Sequence, residues 1–145
     1  MAEETRSRPG ALYVLIGAVA FQGLSGVAGG FGLVVDPRGA MGIPLEWLAG
    51  SPFADYLIPG IVLLMALGIA PLAVAYGLMR GRVWSWAGSL LVGVALSVWL
   101  GVEIAIIGYH ANPPLQLVYG LVAVVIVVLG LLPSVRKHFR AVEER

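Results

Sequence analysis

The sequence predicts an all-α protein: an integral membrane four-helix bundle with both termini in the cytoplasm. Three observations carry that prediction. Of 145 residues, 59% are hydrophobic and only 12% charged, and the mean hydropathy is +0.94; a soluble domain so composed would expose enough apolar surface to aggregate. Four long apolar runs occupy 11–35, 55–79, 83–109 and 115–132. Arg and Lys gather in alternate connections between them.

A hydrocarbon core of roughly 30 Å needs about 20 apolar residues in a helix. The runs are too long for barrel strands and lack period-two alternation. They leave a single membrane domain, 1–145, with an outer loop at 36–54 and a cytoplasmic tail at 133–145. Arg6 and Arg8 precede the first span, Arg80 and Arg82 join the second to the third, and Arg136, Lys137, Arg140 and Arg145 follow the fourth. The other side carries only Arg38, beside Asp36 and Glu46. The positive-inside rule therefore sets the orientation. Arg6 and Arg8 ahead of an apolar stretch ending in Ser25-Gly26-Val27-Ala28 also resemble a signal peptide; the stretch is read as a retained span.

In the outer loop, Asp36-Pro37-Arg38-Gly39 has the composition of a tight turn. Pro44 through Gly50 predicts a short interfacial helix, with Trp47 and Leu48 laying it on the membrane surface. Ser51-Pro52 is expected to cap the second span, and Asp55 to sit in its first turn as a cap. Within that span Pro71 removes a backbone donor, which should bend the helix and leave the carbonyl near Leu67 seeking another. Pro59 should distort the outer end.

The third span carries a ladder of small residues at every fourth position: Ser85, Ser89, Gly93, Ser97, Gly101 and Ala105. Small-xxx-small faces let membrane helices approach closely. Gly26 and Gly30 give the first span a shorter match, so the first span is expected against the third, with homodimerisation as a rival use of the ladder. Trp84 and Trp86 at one end and Trp47 at the other fit an aromatic belt.

Glu103 is the only acidic side chain deep inside an apolar run, and an ionisable group within a membrane marks a candidate functional site. It lies about 200° round the helix from Gly101, away from that part of the ladder. His110, seven residues on, and Trp99, four residues back, share its helical face. Gln116 and Tyr119 begin the fourth span at the same level, Tyr56 and Asp55 open the second, and Gln22 lies near the middle of the first. These eight residues form the candidate ligand-binding set. Three uses fit it: a closed network holding helices in register, an outward-facing pocket for a cation or headgroup, or a proton-coupled site.

Other chemistry finds little support. Zero Cys excludes disulfides and thiolate metal sites. One His beside one Glu makes at best half a metal site, and His138 lies on the opposite tail. No catalytic motif, metal or cofactor is expected. A formal charge of +1, spread over membrane edges, does not suit nucleic acid.

Ser51-Pro52-Phe53-Ala54-Asp55-Tyr56-Leu57-Ile58-Pro59-Gly60, Val102-Glu103-Ile104 and Leu115-Gln116-Leu117-Val118-Tyr119-Gly120 resemble stretches of four-span membrane proteins of unknown function from actinobacteria and related bacteria. That resemblance implies a multi-pass bacterial inner-membrane protein and no activity. Small multidrug transporters share the size, but their essential carboxylate lies in the first span, where this chain has Gln22. Four-span sterol isomerase-like proteins offer an analogy of architecture, with Asp55 and Glu103 as the acidic pair. The reading is a non-catalytic membrane protein that binds a small lipophilic or cationic molecule at Glu103, or an accessory subunit. Proton-coupled transport is the alternative, and an isomerase-like enzyme the third.

Overall fold

The computed structural model describes residues 8–145, and every regular element within them is helical. Arg6, part of the charge pattern and of the signal-like start, lies outside the described residues. Four long helices follow the four apolar runs: α1 (Gly10–Val35), α2 (Leu57–Met79), α3 (Val83–Ile107) and α4 (Leu115–Leu131). A fifth, α5 (Pro133–Glu143), leaves α4 at a 55° bend. Among the described residues, three helices are long and apolar enough to cross a membrane, or four if α4 and α5 count as one broken span.

The helices form a ring in which α1 and α3 each pack on both α2 and α4. The expected pairing of the first span with the third is therefore wrong: the two stand diagonally. Gly26 and Gly30 face α2 instead. A Cβ on Gly26 would lie 1.9 Å from the Leu67 carbonyl oxygen, and one on Gly68 would lie 2.7 Å from the Val27 amide nitrogen. Two backbones that close tolerate only glycine at the crossing.

The ladder on α3 divides. Ser85, Ser89 and Gly93 are buried inside the bundle, whereas Ser97, Gly101 and Ala105 are exposed. Drift of about 40° per four-residue step carries the stripe from the interior to the outside. Ser89 and Ser97 donate to carbonyls of their own helix, Trp86 at 2.7 Å and Gly93 at 2.8 Å. Trp86 leaves the expected belt, its indole donating to the Gly130 carbonyl of α4 at 2.8 Å. Trp84 stays exposed.

Pro59 falls in the first turn of α2, where a missing N–H costs nothing, so the expected distortion does not arise. Pro71 does act. Ahead of it, Met65–Ile69 opens into a π turn, with the Ala70 amide bonding back to Met65. The carbonyl of Leu67, four residues before the proline, accepts from the Gln22 side chain of α1 at 3.2 Å.

Three apolar layers fill the interior. At the end bearing the termini, Leu12, Leu15, Val19, Leu78, Val92 and Ile126 close on Val135 and Phe139 of α5. The tail thus folds into the core, which the sequence reading missed. Leu67, Leu96, Leu100 and Ala123 form the middle layer. Leu33, Leu48 and Tyr56 seal the end bearing the long loop. Outside, large apolar side chains such as Leu24, Leu91, Val98, Leu121 and Val128 stand more than half exposed on α1, α3 and α4. A surface this apolar suits hydrocarbon and not water.

Candidate functional site

The site lies where α3 ends and α4 begins, at the long-loop end. Trp99 and Glu103, one turn apart on α3, share a face, and the Trp99 indole donates to Glu103 Oε2 at 3.1 Å. From α4, Gln116 Nε2 donates to Glu103 Oε1 at 3.1 Å and to the Gly108 carbonyl at 3.0 Å. Gln116 Oε1 accepts the His110 backbone N–H at 2.8 Å. Both amide hydrogens and the oxygen of Gln116 are thereby used, on a side chain only 7% exposed. Glu103 receives one donor on each oxygen and stays partly exposed.

His110 does not continue the helical stripe. Gly108, at φ 77°, turns the chain out of α3 in a conformation that favours glycine. His110 still reaches the site, because Gln116 holds its backbone and its Nε2 lies 2.8 Å from the Ile107 carbonyl. A carbonyl can only accept, so that nitrogen carries the proton. Trp47 stacks on the imidazole with centroids 4.2 Å apart and planes 16° from parallel.

The predicted helix around Trp47 is a single 3₁₀ turn, Leu45–Leu48, resting on α3. Trp47 was expected on the membrane surface and instead stacks on His110. Its signal was Pro44 at a helix start three residues earlier; nothing local says which way that turn folds.

The remaining predicted residues do not join the cluster. Asp55 lies ahead of α2 and not in its first turn as expected, but its Oδ1 accepts the Leu57 amide at 3.0 Å. Ser51 does not cap α2; it closes its own turn by donating to Leu48 and accepting from Phe53. Tyr56, in the loop ahead of α2, donates its hydroxyl to the Pro44 carbonyl at 2.7 Å and pins the loop. Burial, followed by the nearby charge of Glu46, raises its phenol above the ordinary value of 10.0. Tyr119 stacks on Phe21 of α1 at 6.1 Å. Gln22, 2% exposed, sits deeper on the Leu67 carbonyl, and its Oε1 has no hydrogen-bond partner among the described residues.

Of eight candidates, the fold thus brings together Glu103, Trp99, Gln116 and His110, and adds Trp47. The arrangement offers an acidic side chain held by two donors at a partly open rim, with the N–H edge of the Trp99 indole against it and the stacked Trp47–His110 pair tied in through Gln116. That suits a cation or a polar headgroup with an apolar tail. No group of three or more His, Asp or Glu able to hold a metal occurs among the described residues. Comparison with protein-family models, curated proteins and solved structures yields no match.

Proposed function

We propose that this chain is a multi-pass protein of a bacterial inner membrane, with both termini in the cytoplasm, and that its Glu103 cluster is a non-catalytic recognition site. The site faces outward and takes a small lipophilic or cationic molecule. One observation carries the reading: Glu103 is held from two helices by Trp99 and Gln116, yet part of its surface stays open. A carboxylate already positioned loses little freedom when a cation arrives. The apolar exterior of α1, α3 and α4 supports the membrane setting.

The test uses tetraphenylphosphonium, a lipophilic cation, titrated against the detergent-solubilised protein while Trp fluorescence is followed. Glu103→Gln keeps the size of the side chain and removes its charge, at the loss of one of the two hydrogen bonds, because its amide nitrogen cannot accept. Affinity is expected to fall by about tenfold or more, while stability falls by no more than the loss of one hydrogen bond, about 1 kcal/mol. Equal affinity in both proteins, or no saturable binding to either, rejects the site.

An accessory role has its own support. Ser97, Gly101 and Ala105 are exposed on one stripe of α3, and a Cβ on Gly101 would meet nothing within 4 Å. A helix of a partner subunit or a second copy could approach there. Transport finds less support, because Val135 and Phe139 close the core at the end bearing the termini.

A further inference from the structure

We infer that the outward face of α5 binds the phosphate of an anionic lipid headgroup. The inference rests on the membrane setting proposed above and is independent of the Glu103 site. α5 is strongly two-sided. Val135 and Phe139, one turn apart, are buried in the bundle core, while Arg136, Lys137 and Arg140 are exposed. With Pro133 they line a shallow concavity of about 140 Å³.

Charge makes this face unusual. Arg136 and Arg140 are four residues apart, Lys137 and Arg140 three, so like charges stack on one side and repel. None of the three forms an ion pair among the described residues, and Glu143, one turn beyond Arg140, neutralises none of them by direct contact. An anion from outside relieves that repulsion. A phosphate diester matches in charge, and its paired oxygens suit the guanidinium fork.

Depth selects the lipid as its source. The 17 residues of α4 reach about 25 Å, short of a hydrocarbon core of roughly 30 Å. The chain therefore enters α5 at the edge of that core. Because α5 then bends by 55°, it advances only about 0.9 Å per residue along the α4 axis. Arg136 to Arg140 thus span roughly 3–4 Å of depth, within one headgroup layer. The apolar side of α5 is occupied by protein, so the basic face is what the helix presents to its surroundings.

The experiment places the full chain in nanodiscs of phosphatidylcholine mixed with phosphatidylglycerol and identifies retained lipid by native mass spectrometry. Wild type should retain phosphatidylglycerol at least about tenfold over its share of the mixture. Arg136→Gln/Arg140→Gln should lose that preference, whereas Arg80→Gln/Arg82→Gln, with the same charge removed from the neighbouring turn, should keep it. No preference in wild type, or equal loss in both variants, overturns the inference. Displacement of the lipid by inorganic phosphate would mean a soluble-anion site and also overturns it. Should the α5 variant fail to fold, the wild-type preference must still weaken between about 0.05 and 0.5 M salt; no change counts against the site. Alkaline carbonate extraction separates the two readings: release from membranes defeats the membrane setting, while retention without lipid preference defeats this inference alone.

Discussion

Gln22 of α1 donates its side-chain amide to the Leu67 carbonyl of α2 at 3.2 Å, the carbonyl whose intrahelical donor is missing because residue 71 is proline. Two helices are joined at the point where one has lost a backbone bond. A buried carbonyl without a donor costs about 1–3 kcal/mol, so the side chain is placed where it matters most. The π turn over Met65–Ile69 and the Gly26–Leu67 contact lie at the same level. The close approach and the hydrogen bond therefore depend on each other.

Coupling between Gln22 and Pro71 follows. Gln22→Met should lower stability by about 1–2 kcal/mol by orphaning the Leu67 carbonyl. In a Pro71→Ala background the helix supplies its own donor, and the same substitution should cost much less. Thermal or denaturant unfolding of the four proteins in one detergent measures the cycle. Equal penalties in both backgrounds would show that Gln22 does not serve that carbonyl.

Gly26→Ala should be among the most damaging single changes, because its new methyl would sit 1.9 Å from a backbone oxygen that cannot swing aside. A loss above about 3 kcal/mol, or failure to accumulate folded protein, is expected. Gly17→Ala, with nothing within 4 Å, should be neutral or stabilising by up to about 1 kcal/mol. Expression and unfolding midpoints of the two variants make the comparison. Similar behaviour would mean that α1 and α2 do not cross on Gly26.

The loop ahead of α2 should loosen in alkali. The Tyr56 phenol is held above its ordinary value of 10.0 by burial and by Glu46. Above pH 10 the unfolded chain releases this proton before the folded one does, so stability falls as pH rises through the folded value. Below pH 10 the contribution is fully present. Tyr56→Phe should remove this alkaline step and, through loss of the Pro44 hydrogen bond, cost about 1 kcal/mol at neutral pH. Unfolding midpoints from pH 8 to 11 test both; an unchanged alkaline slope in the variant assigns the effect elsewhere.

The positions of the four long helices were legible in the residue order, because hydropathy over some 20 residues is a local property and each predicted run lies within two residues of an observed helix end. The Pro71 defect, the bond from Asp55 to the first amide of α2 and the Asp36 turn were legible for the same reason. In each, a side chain acts on backbone within four residues of itself, as when Asp36 accepts the Gly39 amide at 3.1 Å.

Choices of partner were not legible. The small-residue ladder on α3 and the glycines of α1 read as a matched pair, yet helices that approach closely can do so against any backbone that comes near, and the ring put α2 there. The stripe from Glu103 to His110 assumed an unbroken helix; Gly108 broke it, and Gln116 returned His110 to the site by a different route. α5 folded inward because it had an apolar face and a nearby layer to bury it in, and Trp47 turned onto the His110 ring. The chain alone determined where the four long apolar helices lie and which residues are costly to bury. Tertiary structure decided who satisfies them, because a hydrogen bond or a packed methyl depends on distances that only the assembled helices set.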